Sequence, residues 1–495
     1  MIAQAQVTIR NAGGLLAQRG IDAIGALLFA VWVPRLMGPA TYGQYALVTS
    51  LSIWFVLFSE LGFTPVISRY VPQFSLQEDP QALRDFFGQL LTVRLASGAL
   101  AAALYLLLTR RWLEDLDPVM LLIMAGAIGV RSVAKLLFTL FVGLNQAARW
   151  GLREMVFRWL SLVLLFPGFY LAGLRGAIAA ILLADLATLV IGLRWTRSYL
   201  GWSEFGLDLR RLLPYLQFGL IFFGGDLLLS AFRRSGEALV QVVTGDYVQV
   251  GYFGLAYNVF LTAALVVPRL TLSFAPLLTT LRSVGKEPAL QEWAERLIKW
   301  IAAGGMLIVF STLFLAEDLV PLVLGADYRA VAGNLVPLTL TLLTLSLSSV
   351  ARVVVMTYDR PAAALTAAAV RLGAFWVIGP PLVRWGGSLG ACLATLGASV
   401  LYSAYFTWRA RRAAPYSLRG WVTIVGLGVP FLPLLCLRGG GWTNAALFGG
   451  VVIGYVGLLF LLRVVTPEEI AATWRAISLR KESSCPEDHH HQQEP

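Results

Sequence analysis

VPRLMGPATYGQYALVTSLSIWFVLFSELGFTPVISRYVPQF, residues Val33–Phe74, holds two apolar runs and the turn between them. The first run ends at Gly38-Pro39, the chain turns through Ala40-Thr41-Tyr42, and a second run opens at Gly43. Proline brings no amide donor and disfavours helical backbone at the residue before it, so a helix stops there. The second run breaks again near Glu60, where Leu61-Gly62 precedes Pro65. Such a break leaves a kink with local backbone groups to satisfy. Runs of about 20 apolar residues match the roughly 30 Å of hydrocarbon in a bilayer. Helices are the form expected of them, because lipid offers the backbone no outside hydrogen-bond partner.

The same grammar extends over the whole chain. Of its 495 residues 58% are hydrophobic and only 14% charged, far from the roughly 25% charged of a soluble protein. Apolar stretches of spanning length lie near 14–36, 43–63, 86–108, 118–141, 154–173, 176–195, 214–232, 252–278, 298–324, 331–356, 363–383, 386–408, 419–437 and 442–463. We therefore read an all-α polytopic membrane protein with about fourteen transmembrane helices. Two charged amphipathic segments, 196–213 and 279–297, read as surface helices, the first marking the midpoint. The expected organisation is a six-helix bundle over 1–213, a second over 214–415, an extra helix pair over 416–465 and a disordered cytoplasmic tail over 466–495. Six spans return the chain to its starting side, so the bundles form a parallel pseudo-repeat about an axis along the membrane normal.

With the N-terminus inside, the inner segments hold well over twice the arginine and lysine of the outer ones. The positive-inside rule then puts both termini in the cytoplasm, and the net charge of +11 belongs to inner loops rather than to a nucleic-acid surface. Polar Met1–Asn11 lacks the apolar core and cleavage site of a signal peptide, so the first run is expected to be retained. Cys392, Cys436 and Cys485 are scattered, and the histidines, His489 to His491, all lie in the tail. Neither set suggests a metal site or cofactor within the membrane. No Gly-Lys-Ser/Thr phosphate loop occurs, so this chain is not expected to hydrolyse ATP.

Charges inside the apolar runs carry the functional expectation. One at mid-bilayer costs about 2.5–3.5 kcal/mol, so it faces a protein interior or a water-filled cavity. The cations Arg19, Arg94, Arg131, Lys135, Arg269, Arg352 and Arg371 outnumber the anions Asp22, Glu60, Asp185 and Asp226, which favours an anionic cargo. Arg19 and Asp22 are three apart on one helical face, where they neutralise each other or serve a cavity. Arg131 and Lys135 repel one another at four residues' spacing unless an anion compensates or Lys135 snorkels. Glu60 beside its Gly/Pro break suits a gate, Arg269 follows Pro268 deep in a span, and Asp226 lies mid-span. Asp185 and Arg371 each read as the interhelical partner of a residue the sequence does not identify, and Arg352 as a snorkelling residue. We expect Arg19, Arg131, Arg269 and Lys135 to line a cavity, with Asp22, Glu60 and Asp226 as coupling or gating carboxylates for H+ or Na+.

Val33–Phe74 resembles the N-terminus of the polysaccharide-biosynthesis (Wzx-type) flippases, in the superfamily shared with MATE exporters and lipid II flippases. Their first helix ends in R-x-x-G-P-x-x-Y-G-x-Y, as Arg35–Tyr45 does here, and their second ends in L-G-x, as at Leu61-Gly62. Asp226–Tyr257, with its V-G-x-Y-x-x-A-Y-like ending, and the outer turn Glu317–Leu335 continue the likeness in the right order. The resemblance implies a central cavity and lateral opening flanked by spans one, two, seven and eight, where Arg19, Asp22, Glu60, Asp226 and Arg269 fall. It implies a flippase of the cytoplasmic membrane that moves undecaprenyl-diphosphate-linked repeat units by alternating access. Membrane lipids, a polysaccharide polymerase and export machinery would be its partners. Two other readings stand beside it. A MATE-like cation exporter calls for an acidic cavity, which the charge count disfavours. A membrane glycosyltransferase would use Asp115-Leu116-Asp117, a D-x-D on an outer loop.

Overall fold

A computed structural model describes residues 2–76, 80–200, 209–264, 266–358, 362–464 and 466. Of 2–23, 75, 76, 147, 209–211, 221, 222, 226, 269, 273, 276 and 362 it describes the backbone alone. The chain runs through α1 (Ile2–Phe58), α2 (Phe63–Leu76), α3 (Pro80–Trp112), α4 (Pro118–Gly143), α5 (Ala147–Thr196), α6 (Leu209–Thr244) and α7 (Tyr247–Ala264). It continues through α8 (Val266–Ser273), α9 (Ala275–Ser283), α10 (Glu287–Leu324), α11 (Ala330–Thr357), α12 (Ala362–Arg411), α13 (Arg419–Gly428) and α14 (Trp442–Leu461). No strand occurs among the described residues. Ten helices are long and apolar enough to cross a membrane, and the two pieces of α6, bent by 46° between Gly225 and Leu227, make an eleventh. The protein is an all-helical, multi-pass membrane protein.

The three longest helices are hairpins rather than rods. α1 breaks at Gly38 (φ 74°, ψ 165°), α5 at Ala172-Gly173 and α12 at Gly386-Gly387. A straight helix would hold Phe29 and Tyr45 about 24 Å apart. Their rings instead lie 6.2 Å centre to centre, so α1 doubles back at its break. The Gly38-Pro39 turn read from the sequence is this break, and only glycine adopts its left-handed φ without strain. Divided at these breaks, the helices follow the apolar stretches in order, except that 252–278 is shared among α7, α8 and α9 and that α2 lies between two stretches.

Two boundaries differ from the sequence reading. The segment 279–297 is not one surface helix: α9 ends at Ser283, the chain turns at Gly285 (φ 73°), and Glu287 opens α10, which runs unbroken to Leu324. Leu290, Ala294 and Leu297 are buried, so the amphipathic face that suggested a membrane-surface helix packs on protein. Likewise α6 continues to Thr244, twelve residues beyond the stretch ending at 232, carrying Arg233 and Arg234 into the helix rather than a loop. α5 begins at Ala147, ahead of the stretch 154–173, so Arg153 is also helical. Of the segment 196–213, residues 201–208 lie outside the described residues, as do His489 to His491.

Helices in lipid gain little from burying apolar surface against each other, so close packing and polar contacts decide how they associate. The largest core joins both arms of α1 to α4, α5, α6, α7, α11 and α12. At the start of α6, Leu212 is buried in a separate core with α2, α3 and α4, where Tyr70 and Tyr215 meet edge to face at 4.6 Å. Beyond the bend, α6 packs on α12, with the Phe232 and Phe375 rings 5.5 Å apart. The extra pair α13–α14 and the 3₁₀ turn Val429–Leu437 pack chiefly on α10.

Candidate functional site

A cavity of about 220 Å³ lies where α1, α4, α5, α6 and α7 converge. The return arm of α1 presents Tyr42, Tyr45, Thr49 and Ile53, spaced to share one helical face. α5 adds Glu154, Phe157, Arg158 and Ser161 on a second such face, α4 adds Arg131, α6 adds Arg234 and Glu237, and α7 adds Asn258. Three guanidiniums and two carboxylates therefore line a small aromatic-walled chamber.

Its charges are unequally committed. Arg131 Nε and Nη2 donate to Asp185 Oδ2 at 3.0 and 2.8 Å, and its guanidinium lies 4.8 Å from the Phe157 ring centre. Asp185 is wholly buried, so it neutralises Arg131 from behind while Arg131 still borders the chamber. Arg153 pairs with Glu154. Glu237, 2% exposed, accepts a hydrogen bond from Ser50 Oγ of α1 at 3.2 Å. Ser50 and Trp54 also donate to the Arg234 carbonyl at 3.3 and 3.2 Å, stitching α1 to α6. Asn258 Nδ2 donates to the Tyr42 hydroxyl at 3.4 Å, tying α7 to α1. Arg234 itself makes no ion pair among the described residues.

At the Gly38 end the chamber is shut. Gly43 of α1 and Gly251 of α7 meet so closely that a Cβ on either would overlap the other helix's backbone, at the Tyr247 and Pro39 carbonyls respectively. The Tyr328 hydroxyl donates to the Pro34 carbonyl at 2.7 Å, adding the turn before α11 to the same closure.

A second polar group surrounds the break between α1 and α2, where Leu61 and Gly62 have φ of 47° and 76°. Glu60 pairs with Lys135 and accepts from Thr64 Oγ1 at 2.6 Å. Arg94, 1% exposed, donates from Nε to the Ser132 carbonyl at 2.8 Å, and Ser59 Oγ lies 2.9 Å from Ser132 Oγ. Thus Lys135 and Glu60 meet each other and do not line the chamber: the repulsion between Arg131 and Lys135 is relieved by one acid each. Asp185 is Arg131's interhelical partner. Arg371 donates to Ser399 Oγ at 2.8 Å and lies 3.8 Å from the centre of the Phe232 ring.

The side chains of Arg19, Asp22, Asp226 and Arg269 lie outside the described residues; their backbones sit on α1, α6 and α8, Asp226 at the α6 bend. Of the expected cavity residues whose side chains are described, only Arg131 lines the chamber. Glu154, Arg158, Arg234, Glu237, Tyr42, Tyr45 and Asn258 escaped sequence reading. One signal was available: Arg234 and Glu237 are three apart with opposite sign, as on one buried helical face.

The D-x-D aspartate Asp117 caps α4, accepting from the Val119 amide at 3.1 Å, and pairs with Arg175. Desolvation pushes its carboxyl up, but the bonds from Arg175 and the amide outweigh that and hold it below the usual carboxylate range. Among the described residues no group of three or more His, Cys, Asp or Glu side chains is placed to hold a metal ion.

The family model described as polysaccharide biosynthesis protein matches residues 8–282, more than half of the chain. The chain belongs to this polysaccharide biosynthesis protein family. Its fold is that of the MOP superfamily. It is similar to the lipid II flippase MurJ in an inward closed conformation, with TM-score 0.63 and 12% identity over 92% of this chain and 100% of that one. It is also similar to an inward-facing multidrug resistance MATE family transporter of the MOP superfamily, with TM-score 0.64 and 14% identity over 80% and 97%. A MOP superfamily transporter from Pyrococcus furiosus, reported with a binding pocket of reverse polarity, matches at TM-score 0.50 and 14% identity over 82% and 95%. Among curated proteins no significant sequence relative was found. These three neighbours are described as a flippase and two transporters.

Proposed function

We propose that this polysaccharide biosynthesis protein flips undecaprenyl-diphosphate-linked oligosaccharide repeat units across the cytoplasmic membrane for surface or exopolysaccharide assembly. The observation that carries the reading is the chamber itself, where Arg131, Arg158 and Arg234 face one space from three helices. A diphosphate is the part of such a substrate that hydrocarbon rejects, and guanidiniums supply charge-assisted, bidentate bonds to it. The lipid tail stays in the bilayer while the headgroup crosses. Transport proceeds by rocking of the bundle 1–213 against 214–415, with the helices of 416–465 alongside. H+ or Na+ entry is coupled through carboxylates, and Glu237, bonded across α1 and α6, joins Asp22, Glu60 and Asp226 as a place for it. The protein acts as a transporter rather than an enzyme, with both termini cytoplasmic and a polymerase downstream. A MATE-like exporter of cations fits less well, since arginine outnumbers carboxylate in the chamber.

Deleting the gene and analysing lipid-linked intermediates tests this. Complete repeat units should accumulate on the cytoplasmic face, and a gene encoding Arg158→Gln with Arg234→Gln should fail to clear them. Unchanged intermediates and surface glycan in the deletion strain, with no second flippase present, would end the proposal.

A further inference from the structure

Away from the chamber, a cavity of about 480 Å³ lies between α11, the end of α12 and the segment leading into α13. Its walls are of two kinds. Leu347, Ala404, Pro415 and Leu418 are apolar, while Arg411 and Arg412 stand at its rim. Arg411 is aimed by the bond from its Nε to the Tyr416 carbonyl at 3.0 Å. Arg412 is held by Trp408, its guanidinium 4.0 Å from the ring centre, with Trp408 itself 47% exposed. Neither arginine forms an ion pair among the described residues.

The charge around them is one-sided. No acidic residue occurs between Asp359 and Glu468, while Arg409 and Arg419 flank the pair. The one carboxylate shown nearby, Glu295, is engaged by the Ser417 amide at 2.6 Å. Thr407 at the cavity wall is 4% exposed, and its hydroxyl is turned to the buried Tyr416 hydroxyl.

We propose that this pocket binds the headgroup of an anionic phospholipid of the surrounding bilayer. The apolar walls suit the glycerol and upper acyl region, and the two guanidiniums the phosphodiester. Basic pockets between spanning helices and interfacial tryptophans are the features by which membrane proteins hold such lipids. The pocket lies where the last helix of the second bundle meets the extra pair, so a bound lipid braces that joint.

Thermal unfolding of the purified full chain in neutral detergent tests the assignment, with added phosphatidylglycerol, phosphatidylcholine or inorganic phosphate. Phosphatidylglycerol should raise the midpoint, and the other two should not. Replacing Arg411→Gln and Arg412→Gln together should weaken the apparent affinity by roughly ten- to thirtyfold. Replacing Arg110→Gln and Arg111→Gln, remote from the pocket, should leave it unchanged. If the first double variant does not fold, Arg412→Gln alone, at a side chain that rests on exposed Trp408, should still lower the affinity about fivefold. An equal response to phosphatidylcholine, a response to phosphate alone, equal losses in both double variants, or an unaltered response in the pocket variants would each overturn the assignment.

Discussion

Arg131 and Asp185 show how a charge reads differently alone and in its setting. Buried ion pairs contribute little net stability, yet removing one member strands the other charge. Arg131→Leu or Asp185→Leu alone should therefore destabilise the protein by about 3–5 kcal/mol, while the double replacement recovers much of the loss. Unfolding midpoints of the three variants would show it, and additive losses would contradict the pairing. Arg131 was visible in the sequence because it interrupts an apolar run. Its partner on α5 was visible as a charge, but no spacing rule links residues 54 positions apart. Arg158 and Arg234 were hidden for the opposite reason. Arg234 stands just past the stretch ending at 232, where hydropathy assigns a loop, and Arg158 stands in the first turns of 154–173, where a charge reads as a helix end. Residues that face a chamber escape the cost that such windows measure, so the helix continues through them.

Among the elements, the proline and glycine breaks were the most legible, since proline lacks an amide donor and glycine alone takes a left-handed φ without strain. Gly38-Pro39 and Leu61-Gly62 fall where the sequence puts them. The fate of 279–297 was less so, because an apolar stripe beside charges looks the same against lipid headgroups as against a neighbouring helix. Gly43 and Gly251 carry the contact between α1 and α7, and their role is invisible without the partner backbone. Replacing Gly251→Ala would push a methyl group into the Pro39 carbonyl and part the two helices. We expect a lower unfolding midpoint and greater reactivity of a cysteine placed at Asn258; unchanged values for both would show that the helices do not meet this closely.

Across the whole molecule, α1 joins α6 at Ser50–Glu237 on one wall of the chamber. If transport requires these helices to separate, tethering them must stop it. Cysteines at positions 50 and 237, in a chain whose own three cysteines are replaced, should abolish glycan export when joined by a short thiol cross-linker. Reduction of a cleavable linker should restore it. Export that continues through complete cross-linking would show that α1 and α6 stay together throughout.

The glycine seam at the closed end of the chamber bears on how such a separation could proceed. Interlocked side chains must change rotamer, or drag their neighbours, before two helices can part. Gly43 and Gly251 offer nothing to interlock, and the surfaces that meet there are bare main chain. Such faces can come apart and return to the same register without any side chain having to find its place again. A shutter built this way resists crossing while closed, yet adds little friction to its own opening.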